Sequence, residues 1–344
     1  MTFLLLALIL LCLWGIRFGG YRADYLSPKS TTMIKGIFTF LILFSHSRGY
    51  FTLSDNWTDS IYAMVQDRLG QLIVAMFLFY SGYGILESFR RKEGYEKSFL
   101  SRRFLKILLH FDIAVALFIL VQLLIPITYP ARNYALCWIG WEDVGNSNWF
   151  IFVILCLYLI AWAAMKLHRR FGAGAVLYTT LGSAALWILL RLVFRKESFW
   201  VDTIAAFPLG MLVSRCRTAV DGTLRRNGGF AGALVVFLVL FAVAHKAFFV
   251  DVYGIVTCLF CCAVLILSSR IHVGNPVLEW AGKNAFTVYI IQRLPMIIAT
   301  SLGWNTRPWT FLLFVFATTF LLAEGLSYVY KKLDEVLFPN VRIA

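Results

Sequence analysis

Ionisable side chains inside long apolar runs are expensive at membrane depth, roughly 2.5 kcal/mol or more near a helix centre on insertion scales, so each is a candidate for chemistry. His46 is the clearest. It ends an apolar stretch that starts at Ile34, and it lies eleven positions after Lys35. Eleven steps of about 100° make three turns plus roughly 20°, with about 16 Å of rise, so both side chains are expected on one helix face. Lys35 then sits at a membrane surface and His46 near the middle. An imidazole has an unperturbed pKa of about 6.5 and serves as a general base or as a nucleophile. A histidine that hydrogen-bonds to a neighbouring helix has the same sequence appearance, and residue type alone leaves both readings open.

Two further groups qualify. The run Phe77 to Gly84 ends in Ser81-Gly82-Tyr83-Gly84, and small residues among aromatics let helices approach closely or break. It leads to Arg90, Arg91 and Lys92, then to Arg102, Arg103 and Lys106. Arg103 and Lys106, three positions apart, are expected on one face, either anchored to anionic lipid headgroups or gripping a polyanion such as nucleotide phosphates. The other group is Gln292 and Arg293, deep in an apolar run beside Pro295. A guanidinium cannot shed its proton, so Arg293 needs a cavity or a partner, and Glu324 is the nearest acid by depth. Asp112, Asp202 and Glu87 lie nearer helix ends and read as structural or as snorkelling to the interface. Of the seven cysteines, the closest group is Cys258, Cys261 and Cys262, with no histidine or acid at metal-ligand spacing. They read as small buried hydrophobes, and no metal is expected.

Composition dictates the elements that must hold these residues. Sixty per cent of the 344 residues are hydrophobic and 15% charged, with mean hydropathy +0.76, against about 45–50% and about 25% in soluble domains. So much apolar surface does not fit one soluble core, and lipid must cover the rest. Runs approaching the roughly 20 residues that span a bilayer fall near 2–18, 34–52, 69–87, 104–127, 148–167, 174–194, 199–214, 229–245, 247–269, 284–300 and 308–330. The expected fold is therefore all-α, a polytopic transmembrane bundle of about eleven helices. The first run lacks a basic flank and a small-residue cleavage site and reads as a retained helix.

The net charge of +14 belongs to the loops rather than to a nucleic-acid surface: 23 Lys and Arg come after odd-numbered runs, eight after even-numbered ones, and Arg293 lies inside the tenth. The positive-inside rule then puts the N-terminus outside and the C-terminus in the cytoplasm of a multi-pass cell-membrane protein. The opposite loops carry acids and aromatics, Asp55, Asp59, Trp141, Glu142 and Asp143 among them, which suit sugar hydroxyls or an ordinary membrane interface.

Taken together, three stretches resemble membrane acyltransferase family 3, which includes sugar O-acetylases of the fucose 4-O-acetylase type and enzymes that acetylate surface polysaccharides. Lys35 and His46 match its basic residue, ten-residue spacer and histidine; Phe79 to Tyr83 is similar to its Phe-Ser-Gly-aromatic segment, and Arg103 to Lys106 to its RxxR element. Asn148-Trp149-Phe150, Phe207-Pro208-Leu209-Gly210 and the segment from Gly282 to Tyr289 come in the family's order. Lys35 and Lys106 stand where arginine is usual, and Gln292 where many members have histidine. The first helix, in 1–29, is additional to the ten-helix pattern of 30–330, with 331–344 as a cytoplasmic tail. The resemblance implies acyl transfer, usually of acetyl from cytoplasmic acetyl-CoA, to a hydroxyl of a glycan or lipid-linked sugar. It makes His46 the catalytic residue and Lys35, Ser81, Arg102, Arg103 and Lys106 the donor site, with Trp149, Gln292, Arg293 and Glu324 as acceptor or structural support. A glycan or lipid transporter is the competing class, since buried charges and broken helices suit it too; no inverted repeat accompanies them.

Overall fold

The computed structural model describes residues 1–53, 56–172, 174–246 and 253–339. Of the described residues, 78% are helical. In order run α1 (Thr2–Leu13), α2 (Pro28–Arg48), α3 (Trp57–Leu69), α4 (Leu72–Arg91), α5 (Lys106–Gln122), α6 (Ala131–Leu136), α7 (Trp149–Phe171) and α8 (Ala175–Ile188). The second half continues with α9 (Ala206–Arg215), α10 (Arg217–Arg225), α11 (Asn227–Lys246), α12 (Tyr253–Ser268), α13 (Pro276–Lys283), α14 (Ala285–Ile291), α15 (Arg293–Ser301) and α16 (Pro308–Leu337). A π-helical segment, Leu100–Leu105, leads into α5, and another, Leu189–Val193, extends α8. Two-residue strands β1 (Arg17–Phe18) and β2 (Ile271–His272) pair antiparallel.

Among the described residues, six helical segments are long and apolar enough to cross a membrane: Asp59–Arg91, Leu100–Gln122, Trp149–Phe171, Ala175–Val193, Asn227–Lys246 and Pro308–Leu337. Apolar helices at 2–13, 253–268 and 285–301 are shorter. Several expectations change. The first run stops at Leu13, where Trp14 turns extended and the chain goes on to β1. The seventh condenses to the ten-residue α9. The tenth is two helices meeting at Gln292: Pro295 has no N–H for the Ile291 carbonyl, and its ring crowds that carbonyl. Asp55 and the start of the ninth run lie outside the described residues.

Packing begins at the helix starts. Ser27 caps α2 by accepting the Ser30 N–H at 3.2 Å, with Pro28 in the first turn, which sets Lys35 two turns in. Asn275 caps α13 through the Leu278 N–H at 2.9 Å, and its Nδ2 donates to the Leu11 and Trp14 carbonyls at the end of α1. Two glycine crossings bring helices to backbone contact. A Cβ on Gly82 would fall 2.0 Å from the Phe207 carbonyl oxygen, and one on Gly210 2.0 Å from that of Phe79, so α4 and α9 touch. Gly36 and Gly282 do the same for α2 and α13, at 2.1 Å from the Leu278 oxygen and 1.9 Å from the Thr32 oxygen. Helix association in lipid relies on such contact rather than on hydrophobic burial. In the other direction, α11 buries no residue and exposes Val235, Val236, Val239 and Val243.

Candidate active site

At the Lys35 end of α2, Lys35 and Arg103 gather without an acid, and Arg102 precedes Arg103 in the chain. Lys35 and Arg103 stand close enough to repel one another. Arg103 lies beside the Tyr95 and Tyr158 hydroxyls, and the Tyr158 hydroxyl shares a 2.8 Å hydrogen bond with Ser81 Oγ. Arg103 is exposed, Lys35 and Arg102 half-buried, and among the described residues none of the three meets a carboxylate. Cations at a membrane surface can meet a polyanionic ligand or anionic lipid headgroups.

Lys106 is not in this group. The expected shared face with Arg103 assumes α-helical spacing, but Arg103 lies in the π-helical turn, which holds an extra residue and shifts the phase of the helix beyond it. Lys106 Nζ instead pairs with Asp334 Oδ2 at 3.1 Å. Asp334 Oδ1 lies 3.1 Å from His110 Nε2, and the His110 ring stacks on Tyr330 at 4.1 Å. This cluster fastens α16 to α5.

At the other end of α2, His46 faces the break between α14 and α15, its ring 6.0 Å from that of Tyr289. Arg293 lies within electrostatic reach of His46 and of the Tyr50 and Tyr129 hydroxyls, which also sense Asp143. Arg293 Nη1 reaches the Asn146 carbonyl at 3.5 Å. Glu324 is not its partner. One position on from the buried Ala323, Glu324 turns outward and accepts the Trp280 indole N–H at 2.6 Å. Trp149, at the first turn of α7, packs edge-on against Phe150 and Phe199, and Phe150 against Tyr289 at 5.4 Å. Gln292 is wholly buried and donates to the Tyr289 carbonyl at 3.3 Å.

The 143–148 segment that completes this end is pinned before any ligand arrives. Asp143 Oδ1 accepts the Gly145 N–H at 3.0 Å and Asn146 Oδ1 that of Val144 at 2.9 Å, while Gln122 and Asn133 hold the Val144 and Asp143 carbonyls. Gly145 turns at φ +93°, where a Cβ would meet Ile297 at 2.8 Å and the Tyr129 hydroxyl at 3.0 Å. The expected loop acids and aromatics are already engaged. Asp59 binds the Met1 amine, and Glu142 pairs with Arg132 at 3.0 Å. Lys196 stacks over Trp141 at 4.0 Å and Trp200 at 4.3 Å, and burial lowers its ammonium pKa.

A family profile for an acyltransferase domain matches residues 30–326, nearly the whole chain. The chain belongs to membrane acyltransferase family 3. No curated protein and no solved structure matches it. As an acyltransferase of helical membrane architecture, it has both ends of α2 available for one reaction: cations that suit a polyanionic donor at Lys35, and a half-buried imidazole among mostly neutral polar groups at His46. Sequence reasoning missed Tyr158, Tyr95, Asn146, Ser147 and Tyr289 as members of these groups. A polar signal existed for two of them, the run Asn146-Ser147-Asn148 ahead of an apolar helix.

Proposed function

We infer that this acyltransferase moves an acyl group, acetyl in the simplest case, from cytoplasmic acyl-CoA to a hydroxyl of a cell-surface or lipid-linked sugar. The observation that carries this reading is the pairing along α2 of an acid-free cation cluster and His46, about 16 Å apart by helical rise. CoA bears several phosphate charges on a long thin arm. Lys35, Arg102 and Arg103 would hold the phosphates, with Tyr158 and Ser81 lining the entry, while the arm carries the thioester towards His46. The loop charges orient the protein with the C-terminus and the Lys35 end in the cytoplasm. The multi-pass count, about eleven helices, belongs to the same reading.

In the reaction, the acceptor oxygen forms a bond to the thioester carbonyl carbon as the carbon–sulfur bond breaks, and the acceptor proton passes to the leaving thiolate. His46 serves either as the base that takes this proton or as a nucleophile that holds the acyl group between two transfers. Purified protein incubated with radiolabelled acetyl-CoA tests the reading. Label is expected to move to a lipid-linked or surface glycan added to the assay, and label retained on the protein without acceptor identifies the nucleophilic route. An absence of transfer to any hydroxyl acceptor, with glycan export disturbed in cells lacking the protein, would instead favour the transporter.

A further inference from the structure

Six of the buried polar atoms without partners lie in one group around His46. Asn146 Nδ2, Ser147 Oγ, the Tyr289 hydroxyl, Gln292 Oε1, Arg293 Nε and His46 Nδ1 are all buried and unpaired. The side chains of Asn146, Ser147, Tyr289 and Gln292 are at most 6% exposed. They form one connected group. Arg293 reaches the Asn146 carbonyl, Gln292 holds the Tyr289 carbonyl, and the Tyr289 and Ser147 hydroxyls approach without meeting hydrogen-bond geometry. Native proteins seldom leave such atoms unpaired, and a pinned loop that presents several of them together is preorganised for a ligand.

The mixture of donors and acceptors narrows the chemical class. Asn146 Nδ2 and Arg293 Nε donate, Gln292 Oε1 accepts, and the two hydroxyls do either. A carboxylate or phosphate offers only acceptors and would leave Gln292 Oε1 unanswered. A ring with adjacent hydroxyls answers both kinds, and the Tyr289 and Phe150 rings supply apolar faces beside it. We propose that Asn146, Ser147, Tyr289 and Gln292 form the acceptor subsite, which selects an uncharged sugar ring and holds one of its hydroxyls against His46. This rests on the acyl-transfer reading for its role, but not for the binding itself.

Ser147→Ala and Tyr289→Phe each delete a single buried oxygen that makes no contact of hydrogen-bond geometry, which makes them clean probes. Full-length protein in phosphatidylcholine nanodiscs is titrated calorimetrically with methyl α-glucopyranoside and with its uronate, methyl α-glucopyranosiduronate. Wild type is expected to bind the neutral glycoside about tenfold more tightly than the uronate, and the double variant to lose about tenfold for the neutral one, the scale of a lost hydrogen bond or two. The melting temperature of the unliganded variants should hold or rise, since a binding site trades stability for function. Unchanged glycoside affinity in the double variant, a lower melting temperature with unchanged affinity, or equal binding of the uronate overturns the subsite. Glycoside binding that responds to both variants, without acetyl transfer to the glycoside, leaves the subsite standing and removes the reading of acetyl transfer to a sugar. Intact transfer with insensitive binding does the reverse.

Discussion

The two ends of α2 recognise by different physics. At the Lys35 end the site residues carry net positive charge, keep contact with solvent and have little fixing them beyond Tyr158 and Ser81. At the His46 end they are buried or half-buried and mostly neutral, and two of them, Asn146 and Ser147, sit on a loop whose turn is fixed by four hydrogen bonds. Charge acts over about 8 Å at physiological ionic strength and tolerates loose geometry. Neutral hydrogen bonding acts at about 3 Å and fails unless donors and acceptors are already in position. An exposed cation cluster can therefore capture a flexible polyanion, whereas selection of one hydroxyl requires the rigid, dry end.

The comparison breaks most directly at His46. A general base contributes about 10² to 10⁴ in rate, and a nucleophile at least as much, so His46→Ala is expected to lower acyl transfer by that factor or more while the protein still folds. Activity normalised to folded protein decides it, and near-normal transfer in His46→Ala or His46→Gln would return His46 to a structural role. Next in size is the α4–α9 contact on which Ser81 rides. Gly82→Ala must push the Phe207 carbonyl aside and should cost about 1–3 kcal/mol of stability or more, as overpacking does. Gly84→Ala, two residues on with open space around it, is the control. Equal melting temperatures for the two variants would show that the helices yield.

These outcomes bear on what a sequence carries. The helical class, the placement of Lys35 and His46 on one helix and the close approach at Gly82 were legible because lipid, helix period and side-chain size impose them locally. The parting of Arg103 from Lys106 was not, because one π turn changes the phase without any marker in residue type. Nor was the pairing of Glu324 with Trp280, since depth along a helix says nothing about the direction a side chain faces. Asn146, Ser147 and Tyr289 stayed hidden for a further reason: an unpaired buried atom is defined by neighbours that come from distant parts of the chain.

The donor end is sharpened by charge removal. Arg103→Gln takes away an accessible cation with no acid beside it and is expected to raise the apparent KM for acetyl-CoA by about tenfold, the scale of a charge-assisted hydrogen bond to phosphate. The acceptor KM should stay the same, and added salt should shrink the gap between wild type and variant. Unchanged donor KM would assign the cluster to lipid headgroups.

Lys106→Gln should give the smallest effect on donor binding, and it separates charge that is free from charge that is spent. Asp334 already neutralises Lys106 at 3.1 Å, and both groups are largely buried, so the pair presents little net field to a phosphate. The donor KM is therefore expected to stay within about twofold of wild type, a factor worth well under the roughly 1 kcal/mol of a typical ion pair. Stability should fall instead, because the substitution leaves Asp334 with His110 as its remaining partner. The loss should be about 1 kcal/mol rather than the 3–5 kcal/mol of a fully buried broken pair, since His110 still pairs with Asp334 and the carboxylate keeps some contact with solvent. Thermal unfolding and donor kinetics on the same preparation measure both. A KM increase equal to that of Arg103→Gln, with stability unchanged, would show that Lys106 leaves Asp334 for the donor and that the α5–α16 fastening opens during turnover.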